Sequence, residues 1–479
     1  MGYRPRIGLE VHAQLLTESK MFCGCSTTFG ETGNTQCCPV CAGIPGTLPV
    51  TNRQAVELVI KTGLALECLV AERCRFARKN YFYPDMPKNY QISQYEEPLT
   101  FGGRFEVVAE GEAKTIRIRR VHLEEDTGKN IHLPDGTSLV EYNRAGIPLM
   151  EIVTEPDFTS PEQVRAYLTA LRELLRYLDV STANMEEGAM RCEPTVDLLD
   201  DETGDHTERV EIKNLASIRG VHEALVYEVR CQRQCLAEGR PVRQETRRWS
   251  VEKQETQVMR TKESAEDYMY FPDPDLVPMA PGREWIEEIR ASLPEVPSAR
   301  RRRLVEQYGL PEYDAEVLTG TKATAEYFEA LAALCPDAKQ ASHWVMGDLM
   351  GLLNAAGLTI EQSPITPEAT ASVIELVASG RITRKMGKAV YERMFETGET
   401  AAAVVASDGL GVVSSEDELA PLIDQVIAAN PDAAADYRAG KQKAKGRLVG
   451  EVMRATKGQA DPALVNELID RKLGGQADG

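Results

Sequence analysis

Residues 7–15 read Ile-Gly-Leu-Glu-Val-His-Ala-Gln-Leu, with an apolar residue at every second position. Successive side chains of a β-strand point to opposite faces, so this spacing predicts a strand with one face in a hydrophobic core. The other face would carry Glu10, His12 and Gln14. An acid and an imidazole two residues apart on one face can converge on a single ligand, which makes this strand the first candidate for a functional site.

Further strands and one clear helix are predicted downstream. The stretches with strand patterns are residues 103–109, 115–125, 138–142 and 207–213. Pro134-Asp135-Gly136 is typical of a tight turn between strands. A helix is predicted over residues 161–178, where apolar side chains recur at helical spacing after Pro161. Ser160 and Gln163 would form its capping box.

The strand patterns nearly disappear beyond Leu293-Pro-Glu-Val-Pro297, and alanine-rich helical periodicity follows. A chain of 479 residues is also too long for one core and should contain two to four domains. We therefore expect an α+β protein with a large N-terminal domain, residues 1–294, built on a mostly antiparallel sheet. A weaker boundary near residues 325–335 would divide the all-α remainder into residues 295–330 and 331–479.

The chain has a formal net charge of −19, which argues against nucleic-acid binding by its surface as a whole. Residues 438–457 are an exception, because seven basic residues stand there against the single acid Glu451. Such a segment can bind RNA phosphates, whereas the simpler interpretation is a helix face that contacts only water. The sequence alone leaves both interpretations open.

Two pairs of cysteines, Cys23-Gly-Cys25 and Cys38-Pro-Val-Cys41, predict a metal centre. Two short knuckles can direct four thiolates to one tetrahedral zinc ion. The alternative is four unrelated thiols buried as small apolar groups. Disulfides are disfavoured, because eleven cysteines are an odd number and we find neither a signal peptide nor an apolar run of membrane-spanning length. We therefore expect a reducing, cytoplasmic location and no contact with a membrane.

A second metal site is expected among the acids of the sheet. Val121 and Leu123 share a strand face with Glu125, and a carboxylate on an apolar face is costly unless it is paired or bound to a metal. Carboxylates suit Mg²⁺, which in turn bridges nucleotide phosphates. The catalytic candidates are Glu10, His12, Glu125 and Glu151, and the predicted Mg²⁺ ligands among them are His12, Glu125 and Glu151. The nucleotide-binding candidates are Arg78, Lys79, Lys88, Arg191 and Glu187. The simpler interpretation of each acid is a solvated side chain on a sheet surface.

Two common motifs are missing from the sequence. It contains neither a G-x-x-x-x-G-K-[ST] loop nor a G-x-S-x-G elbow. A P-loop nucleotide site is therefore excluded, and no obvious nucleophile for acyl transfer is present.

Nine longer motifs, in order along nearly the whole chain, resemble the B subunit of tRNA-dependent amidotransferases of the GatCAB type. They are Gly8-Leu-Glu-Val-His-Ala-Gln-Leu15, Cys38-Pro-Val-Cys-Ala-Gly-Ile-Pro-Gly46, Arg78-Lys-Asn-Tyr-Phe-Tyr-Pro-Asp-Met-Pro-Lys-Asn-Tyr-Gln-Ile-Ser-Gln94, His122-Leu-Glu-Glu-Asp126, Asn143-Arg-Ala-Gly-Ile-Pro-Leu-Met-Glu151 with Thr154-Glu-Pro-Asp157, Asn184-Met-Glu-Glu-Gly188, Glu211-Ile-Lys-Asn214, Gln244-Glu-Thr-Arg247 and Val449-Gly-Glu-Val-Met-Arg-Ala-Thr-Lys-Gly458.

The resemblance implies a ligase that forms a carbon–nitrogen bond with glutamine as the amido donor. An amidase-type partner subunit would hydrolyse glutamine, and a small third subunit would complete a heterotrimer. In this chain, ATP would phosphorylate the side-chain carboxylate of glutamate or aspartate esterified to tRNA, and ammonia would displace the phosphate. The product would be Gln-tRNA(Gln) or Asn-tRNA(Asn).

The resemblance also implies roles for the domains. Residues 1–294 would form a cradle similar to glutamine synthetase, residues 295–330 a helical linker, and residues 331–479 a YqeY-like tail that recognises tRNA. Zinc is expected to be structural, because some members of the family lack these cysteines. The RNA-binding candidates are Lys441, Lys443, Lys445, Arg447, Arg454 and Lys457.

Two other functions compete with this interpretation. A non-catalytic tRNA-binding scaffold for an amidase partner would not need Glu10, His12, Glu125 and Glu151 together. A zinc-dependent hydrolase needs an open zinc position, and four cysteine ligands leave none.

Overall fold

A computed structural model describes residues 2–261, 268–409, 416–456 and 460–474, and the chain divides into two compact units, Met1–Pro297 and Ser298–Gly479. The strands of the first unit are β1 (Tyr3–Gln14), β2 (Leu69–Val70), β3 (Ala77–Asn80), β4 (Tyr90–Ser93), β5 (Thr100–Ala109), β6 (Glu112–Glu125), β7 (Lys129–His132), β8 (Ser138–Glu141), β9 (Pro148–Thr154), β10 (Met190–Asp200), β11 (Val210–Lys213), β12 (Glu245–Ser250), β13 (Glu255–Thr261) and β14 (Met269–Pro272). Its helices are α1 (Arg53–Ala65), α2 (Pro161–Tyr177), α3 (Ile218–Ala237) and α4 (Arg283–Ala291).

The first unit is built on a nine-stranded sheet of order β13-β12-β11-β10-β1-β9-β6-β5-β2. Every neighbouring pair in this order is antiparallel except β11 and β12. Two smaller sheets, β14-β3-β4 and the hairpin β7-β8, complete the described strands. The α+β class with a mostly antiparallel N-terminal sheet, as predicted from the sequence, is therefore confirmed.

Apolar and polar side chains alternate along β1 and, as predicted, lie on opposite faces of the sheet. Ile7, Leu9, Val11 and Ala13 are buried in a core that α1, α2 and α3 cover on one face of the sheet. The opposite face carries Glu10, His12 and Gln14 and is not covered by these helices. One face of the sheet therefore supplies stability, and the other is left for polar groups.

The predicted helix and turn are also present. The helix α2 begins at Pro161 with Ser160 as its N-cap, whose hydroxyl accepts a hydrogen bond from the Gln163 N–H. The capping-box prediction is wrong in one detail, because the Gln163 side chain accepts from the N–H of Thr159 at 2.8 Å, one residue before the N-cap. The turn around Gly136, where φ is +85°, joins β7 to β8.

The described residues of the second unit form helices. They are α5 (Pro297–Tyr308), α6 (Glu312–Leu318), α7 (Lys322–Leu334), α8 (Ala338–His343), a π-helical segment (Trp344–Leu349), α9 (Met350–Ala356), a short 3₁₀ helix (Ile360–Gln362), α10 (Pro367–Ala378), α11 (Arg384–Thr397), α12 (Ala401–Ser407), α13 (Glu416–Ala429), α14 (Pro431–Arg438), α15 (Gln442–Ala455) and α16 (Pro462–Leu473).

Two separate hydrophobic clusters hold these helices. One cluster extends from Leu304 to Val404, and the other from Leu419 to Leu473. Helices on both sides of the boundary expected at residue 330 contribute to the first cluster, since Leu318 and Phe328 pack there together with Trp344. The residues of the expected linker, 295–330, therefore do not form a core of their own.

Candidate functional site

Three neighbouring strands bring acids and histidines together on the uncovered face of the large sheet. His12 on β1 lies directly opposite Glu151 on β9, and Glu151 lies opposite His122 on β6. Opposed residues of antiparallel strands project from the same face. Glu124 follows two positions after His122, so its side chain also projects from that face.

His12, Glu124 and Glu151 form a cluster that we call the acid–histidine trio. One candidate ligand atom from each of the three lies within 4.8 Å of the others. His12 Nε2 is 3.2 Å from Glu124 Oε1 and 3.8 Å from Glu151 Oε2. His122 Nε2 lies 3.1 Å from the same Glu151 oxygen and fixes its position. Apart from the ion pair with His12, Glu124 Oε1 has no hydrogen-bond partner within the described ranges, although it is buried.

The charges in the trio shift one another strongly. Burial alone lowers the pKa of His12, but the hydrogen bond and charge of Glu124, with the charges of Glu151 and Glu193, raise that pKa to about 9. Burial opposes the ionisation of Glu151, yet His122 and His12 hold the pKa of this carboxyl well below its usual range. The trio therefore holds negative charge in a partly desolvated place, which is the setting that a divalent cation favours.

Glu10 lies on the same face as the trio, on β1. Its side chain remains accessible to water, but crowding by the protein and the charges of Glu151 and Glu193 raise its pKa to about 7. Glu193 lies directly opposite Glu10 on β10, and Lys213 Nζ is 2.7 Å from its carboxylate. Acids thus extend along this face beyond the trio, with one lysine among them.

The expectation that Glu125 joins His12 and Glu151 is wrong. Glu125 projects from the opposite, core-facing side of β6, together with Val121 and Leu123. Alternation along the strand makes this unavoidable, since its neighbour Glu124 already occupies the other face.

The burial of Glu125 is satisfied inside the protein. Lys88 Nζ lies 2.5 Å from its carboxylate, and the backbone N–H of Ile92 donates to it at 2.9 Å. Lys88 is consequently directed away from the trio as well. The sequence argument that a carboxylate on an apolar face needs a partner holds, but the partner is a lysine.

Three of the remaining candidates were predicted to contact a nucleotide at the acid site, but two are paired with aspartates and one lies outside the trio. Arg78 pairs with Asp273 at 2.9 Å, and Arg191 pairs with the buried Asp126 at 2.7 Å. Glu187 is exposed in the turn before β10 and is not part of the trio. The charges of the two arginines are therefore already neutralised by aspartates.

Lys79 is the nucleotide-binding candidate whose surroundings agree best with the prediction. It is half-buried on β3, with its Nζ 4.6 Å from the ring centre of Tyr268. Burial lowers the pKa of Lys79, but Tyr270, Glu124 and Glu151 raise it above its usual value. The small sheet β14-β3-β4 therefore places a cation beside the trio.

Sequence reasoning missed Glu124 and His122. Both could have been found by counting alternate positions on β6, because Val121 and Leu123 assign His122 and Glu124 to the uncovered face. Glu193 carried no comparable signal, since its position beside Glu10 depends on the pairing of β1 with β10.

The four cysteines do converge. The Sγ atoms of Cys23, Cys25, Cys38 and Cys41 all lie within 4.8 Å of one another. Cys41 Sγ is 4.0 Å from the sulfurs of both Cys25 and Cys38, close to the edge of about 3.8 Å that Zn–S bonds of about 2.3 Å give in a tetrahedron. The residues fit a structural zinc ion with no open position.

The surroundings of Cys41 favour a thiolate. A hydrogen bond from Cys23 is the main reason that the pKa of Cys41 falls to about 4, and the backbone N–H of Cys38 and the charge of Lys20 act in the same direction. Lys20 is buried, with Nζ 3.7 Å from Cys41 Sγ and 3.2 Å from the carbonyl oxygen of Tyr142. Zinc requires deprotonated ligands, so this setting suits the metal.

The basic residues of the tail lie on and beside α15. Lys441, Lys445 and Arg454 form ion pairs with Asp436, Asp470 and Glu451, respectively. Lys443 and Arg447 are exposed one helical turn apart. Lys457 lies outside the described residues.

Glycine weakens a helix, so the sequence predicts that Gly440, Gly446 and Gly450 divide the basic segment into pieces, and this is wrong for two of the three. Gly446 and Gly450 lie inside α15, which continues through both, and only Gly440, with φ of +88°, separates α14 from α15.

Within the described ranges, no helix is both long enough and apolar enough to cross a membrane.

Comparison with known proteins gives two family-model matches. Residues 5–287 match the model described as the GatB/GatE catalytic domain, and residues 326–473 match the one described as the GatB domain. Over its length the chain is similar to proteins named as the B subunit of aspartyl/glutamyl-tRNA(Asn/Gln) amidotransferase. The relative from Moorella thermoacetica is 50% identical over 476 residues, and the alignment covers 99% of this chain and 100% of that protein. The relative from Geotalea uraniireducens is 47% identical over 479 residues, with 99% and 100% covered.

We expect Cys38→Ser to lower zinc content and to destabilise the N-terminal unit, because three sulfurs hold zinc less firmly than four. Metal analysis and thermal unfolding measure the two effects. Cys335→Ser, a half-buried thiol of the second unit, is the matched control and should change neither. A purified wild-type protein without zinc would contradict the assignment.

We expect Glu10→Gln to stabilise the metal-free protein at alkaline pH. The pKa of Glu10 is raised to about 7 in the folded protein from an ordinary 4.5. The favourable contribution of Glu10 to the free energy of unfolding is therefore complete below pH 4.5 and is lost as the pH rises through 7. The melting temperature of Glu10→Gln should therefore exceed that of the wild type more at pH 8 than at pH 5. An equal difference in melting temperature at both pH values would show that neither burial nor the charges of Glu151 and Glu193 raise the pKa of Glu10.

Proposed function

This chain belongs to the GatB family, and we propose that its acid–histidine trio activates the side-chain carboxylate of an amino acid esterified to tRNA. Its relatives over the full length are named as B subunits of aspartyl/glutamyl-tRNA(Asn/Gln) amidotransferases. The family resemblance drawn from the sequence motifs is confirmed. The chain is a subunit of a tRNA-dependent amidotransferase, a ligase that forms a carbon–nitrogen bond with glutamine as the amido donor.

The reaction needs an activation step, because a carboxylate is inert to ammonia and an acyl phosphate is not. The side-chain carboxylate of glutamate or aspartate esterified to tRNA attacks the γ-phosphorus of ATP, and ADP leaves. Ammonia then attacks the acyl carbon, phosphate leaves, and the amide remains on the tRNA. Both steps bring anions together, so the site must offset negative charge.

The trio is the observation that supports this site. His12, Glu124 and Glu151 present one nitrogen and two carboxylates from three adjacent strands, and Glu124 Oε1 is buried without a further partner among the described residues. These residues would hold Mg²⁺, which would neutralise charge and orient the phosphates. Binding of the ion would release the proton that His12 carries in the metal-free protein, because only a neutral imidazole can be a metal ligand.

Other residues of the uncovered face have supporting roles in the proposal. Lys79 lies beside the trio and would contact phosphate oxygens, whereas Arg78 and Arg191 are already paired with aspartates. His122 positions Glu151 through the 3.1 Å contact of its Nε2. Glu10 would assist in binding the cation from the same strand face as His12.

The partners in this proposal come from the family, whose members named above are B subunits of amidotransferases. An amidase-type subunit would release ammonia and deliver it to this chain, which agrees with the lack of an obvious nucleophile motif in its sequence. A small third subunit would complete the heterotrimer. The zinc ion held by the four cysteines would be structural, because no position remains for a substrate.

The tail would carry much of the contact with tRNA. Lys443 and Arg447 are exposed on one face of α15, and the exposed glycines Gly446 and Gly450 lie beside them. A Cβ at either glycine would meet no atom within 4 Å, so a phosphate backbone can approach the helix closely. This local basic surface would overcome the net charge of −19.

We expect Glu124→Gln to reduce transamidation by the complex by roughly two to three orders of magnitude, as loss of charge stabilisation around a phosphoryl group does. Glutamine hydrolysis by the partner should fall much less. The rate is measured with mischarged tRNA, ATP and ammonium chloride, which bypasses the partner. Glu106→Gln, an exposed acid on β5, is the matched control and should retain full activity.

The same assay tests the competing scaffold function. A scaffold would tolerate Glu124→Gln, and its complex would hydrolyse no ATP in response to mischarged tRNA. Near-normal transamidation by Glu124→Gln would place the chemistry elsewhere.

We expect removal of residues 410–479 to raise the KM for aminoacyl-tRNA while the N-terminal unit remains folded, because residues 419–473 have a separate hydrophobic cluster. The double charge reversal Lys443→Glu with Arg447→Glu should act in the same direction without any truncation. Binding measured against salt concentration should show a slope smaller by about one for each lost phosphate contact. An unchanged affinity and salt slope would show that α15 only contacts water.

A further inference from the structure

Lys20 is a charged residue in the interior of the first unit, and the proposed function gives it no role. It is only 1% exposed. Its Nζ donates to Cys41 Sγ at 3.7 Å and to the carbonyl oxygen of Tyr142 at 3.2 Å. Within the described ranges it forms no ion pair with a carboxylate. A buried ammonium group without a negative partner is costly, so this position calls for an anion.

The cysteine cluster can supply that anion. Four thiolates outweigh the two positive charges of Zn²⁺, so a zinc centre with four cysteine ligands is anionic. A donor that contacts a metal ligand also fixes the orientation of that ligand. The contact of Lys20 with Cys41 therefore gives the lysine a counter-charge and gives the centre a fixed sulfur.

Lys20 also joins the two cysteine pairs in space. Its backbone N–H donates to the carbonyl oxygen of Cys25 at 2.9 Å, and its Nζ contacts Cys41 in the second pair. The loop between the pairs is held at the same place, because Asn34 Oδ1 accepts from the N–H of Tyr142 at 2.7 Å. One lysine thus contacts both cysteine pairs and the segment that follows β8.

The segment that follows β8 leads to the strands of the trio. Gly146 and Ile147 form backbone hydrogen bonds of 2.9 Å and 2.8 Å with Asp126, the residue after β6. Ile147 directly precedes β9. Residues 142–147 therefore connect the carbonyl group that Lys20 contacts to the ends of β6 and β9, which carry the two acids of the trio.

We propose that Lys20 is a positioning residue of the zinc centre, where it balances the charge of the thiolates and ties the centre to residues 142–147. This role rests on the zinc part of the proposed function, and it involves no contact between Lys20 and a substrate. Loss of the ammonium group should therefore weaken zinc binding and should affect amidation only through the zinc centre.

The decisive variant is Lys20→Met, which retains most of the apolar stem and removes the ammonium group. We expect its affinity for zinc to fall about 10- to 100-fold, the range typical of losing a partner that orients a metal ligand. Competition with a chromophoric chelator measures this affinity in the purified complex. Lys20→Arg keeps the positive charge and should restore most of the affinity.

A spectroscopic measurement separates the charge of Lys20 from its packing. With Co²⁺ in place of zinc, the sulfur-to-cobalt charge-transfer band reports how readily the thiolates release an electron. Without the ammonium group the sulfur electrons are less stabilised, so the band of Lys20→Met should move to longer wavelength, and that of Lys20→Arg should not. Lys61→Met is the matched control and should change neither the affinity nor the band, because Lys61 is half-buried on α1 and donates to the carbonyl oxygen of Leu178.

The wild-type complex provides a test that needs no stable variant. Lys20 should resist acetylation by acetic anhydride while zinc is bound. It should become reactive after a chelator removes the metal, because the two cysteine pairs that enclose it are then no longer held together. Mass spectrometry measures the acetylation of this lysine in both samples.

Three results would overturn the inference. In the first, Lys20→Met has the zinc affinity and the cobalt band of the wild type, which makes Lys20 a packing residue only. In the second, amidation by Lys20→Met stays low in excess zinc, so its effect does not act through the metal. In the third, zinc removal leaves the acetylation of Lys20 unchanged. A wild-type complex without zinc would instead contradict the zinc part of the proposed function, whereas Glu124→Gln tests the trio independently.

Discussion

The burial of one face of β1 in the middle of the nine-stranded sheet is the constraint on which the site depends. Ile7, Leu9 and Val11 are buried against the helices, and each large aliphatic side chain contributes about 1.5–3 kcal/mol by leaving water. The same backbone fixes the polar residues between them on the other face. The core therefore supplies the free energy that holds Glu10 near Glu151 and Glu193 in spite of their repulsion, and it fixes His12 on the same face.

That constraint also explains why neighbouring residues have different roles. Glu124 and Glu125 are adjacent in the chain, yet one belongs to the trio and the other pairs with Lys88 below the sheet. A shift of register by one residue would exchange them and bury the wrong carboxylate. The hydrophobic pattern of β6 thus also determines which of the two glutamates joins the trio.

Much of this arrangement was predictable from local sequence, and the rest depends on contacts between distant residues. The strands, the helix α2 and the convergence of four cysteines follow from spacing within about twenty residues, because backbone geometry alone sets them. The assignment of Glu125 was wrong although the alternation was visible, since a buried carboxylate was expected to find a metal and found Lys88 instead. The proximity of Tyr95 to Tyr270 has no local signal, because it depends on the pairing of β14 with β3.

The distribution of ion pairs distinguishes structural cations from available ones. Arg78, Arg191 and Lys88 each have a carboxylate partner within about 3 Å, so their charge is neutralised before any ligand arrives. Lys79 and Arg120 instead contact aromatic rings, which hold a cation by their electron-rich faces and compete with an anion much less than a carboxylate does. Tyr268 and Tyr95, which lie just outside the strands β14 and β4, therefore keep two cations beside the acids of the trio without an ion pair that phosphate would have to break. Acids that attract a divalent cation and cations that remain available to phosphate can then coexist on one face, which is the charge arrangement that transfer of a phosphoryl group to a carboxylate requires.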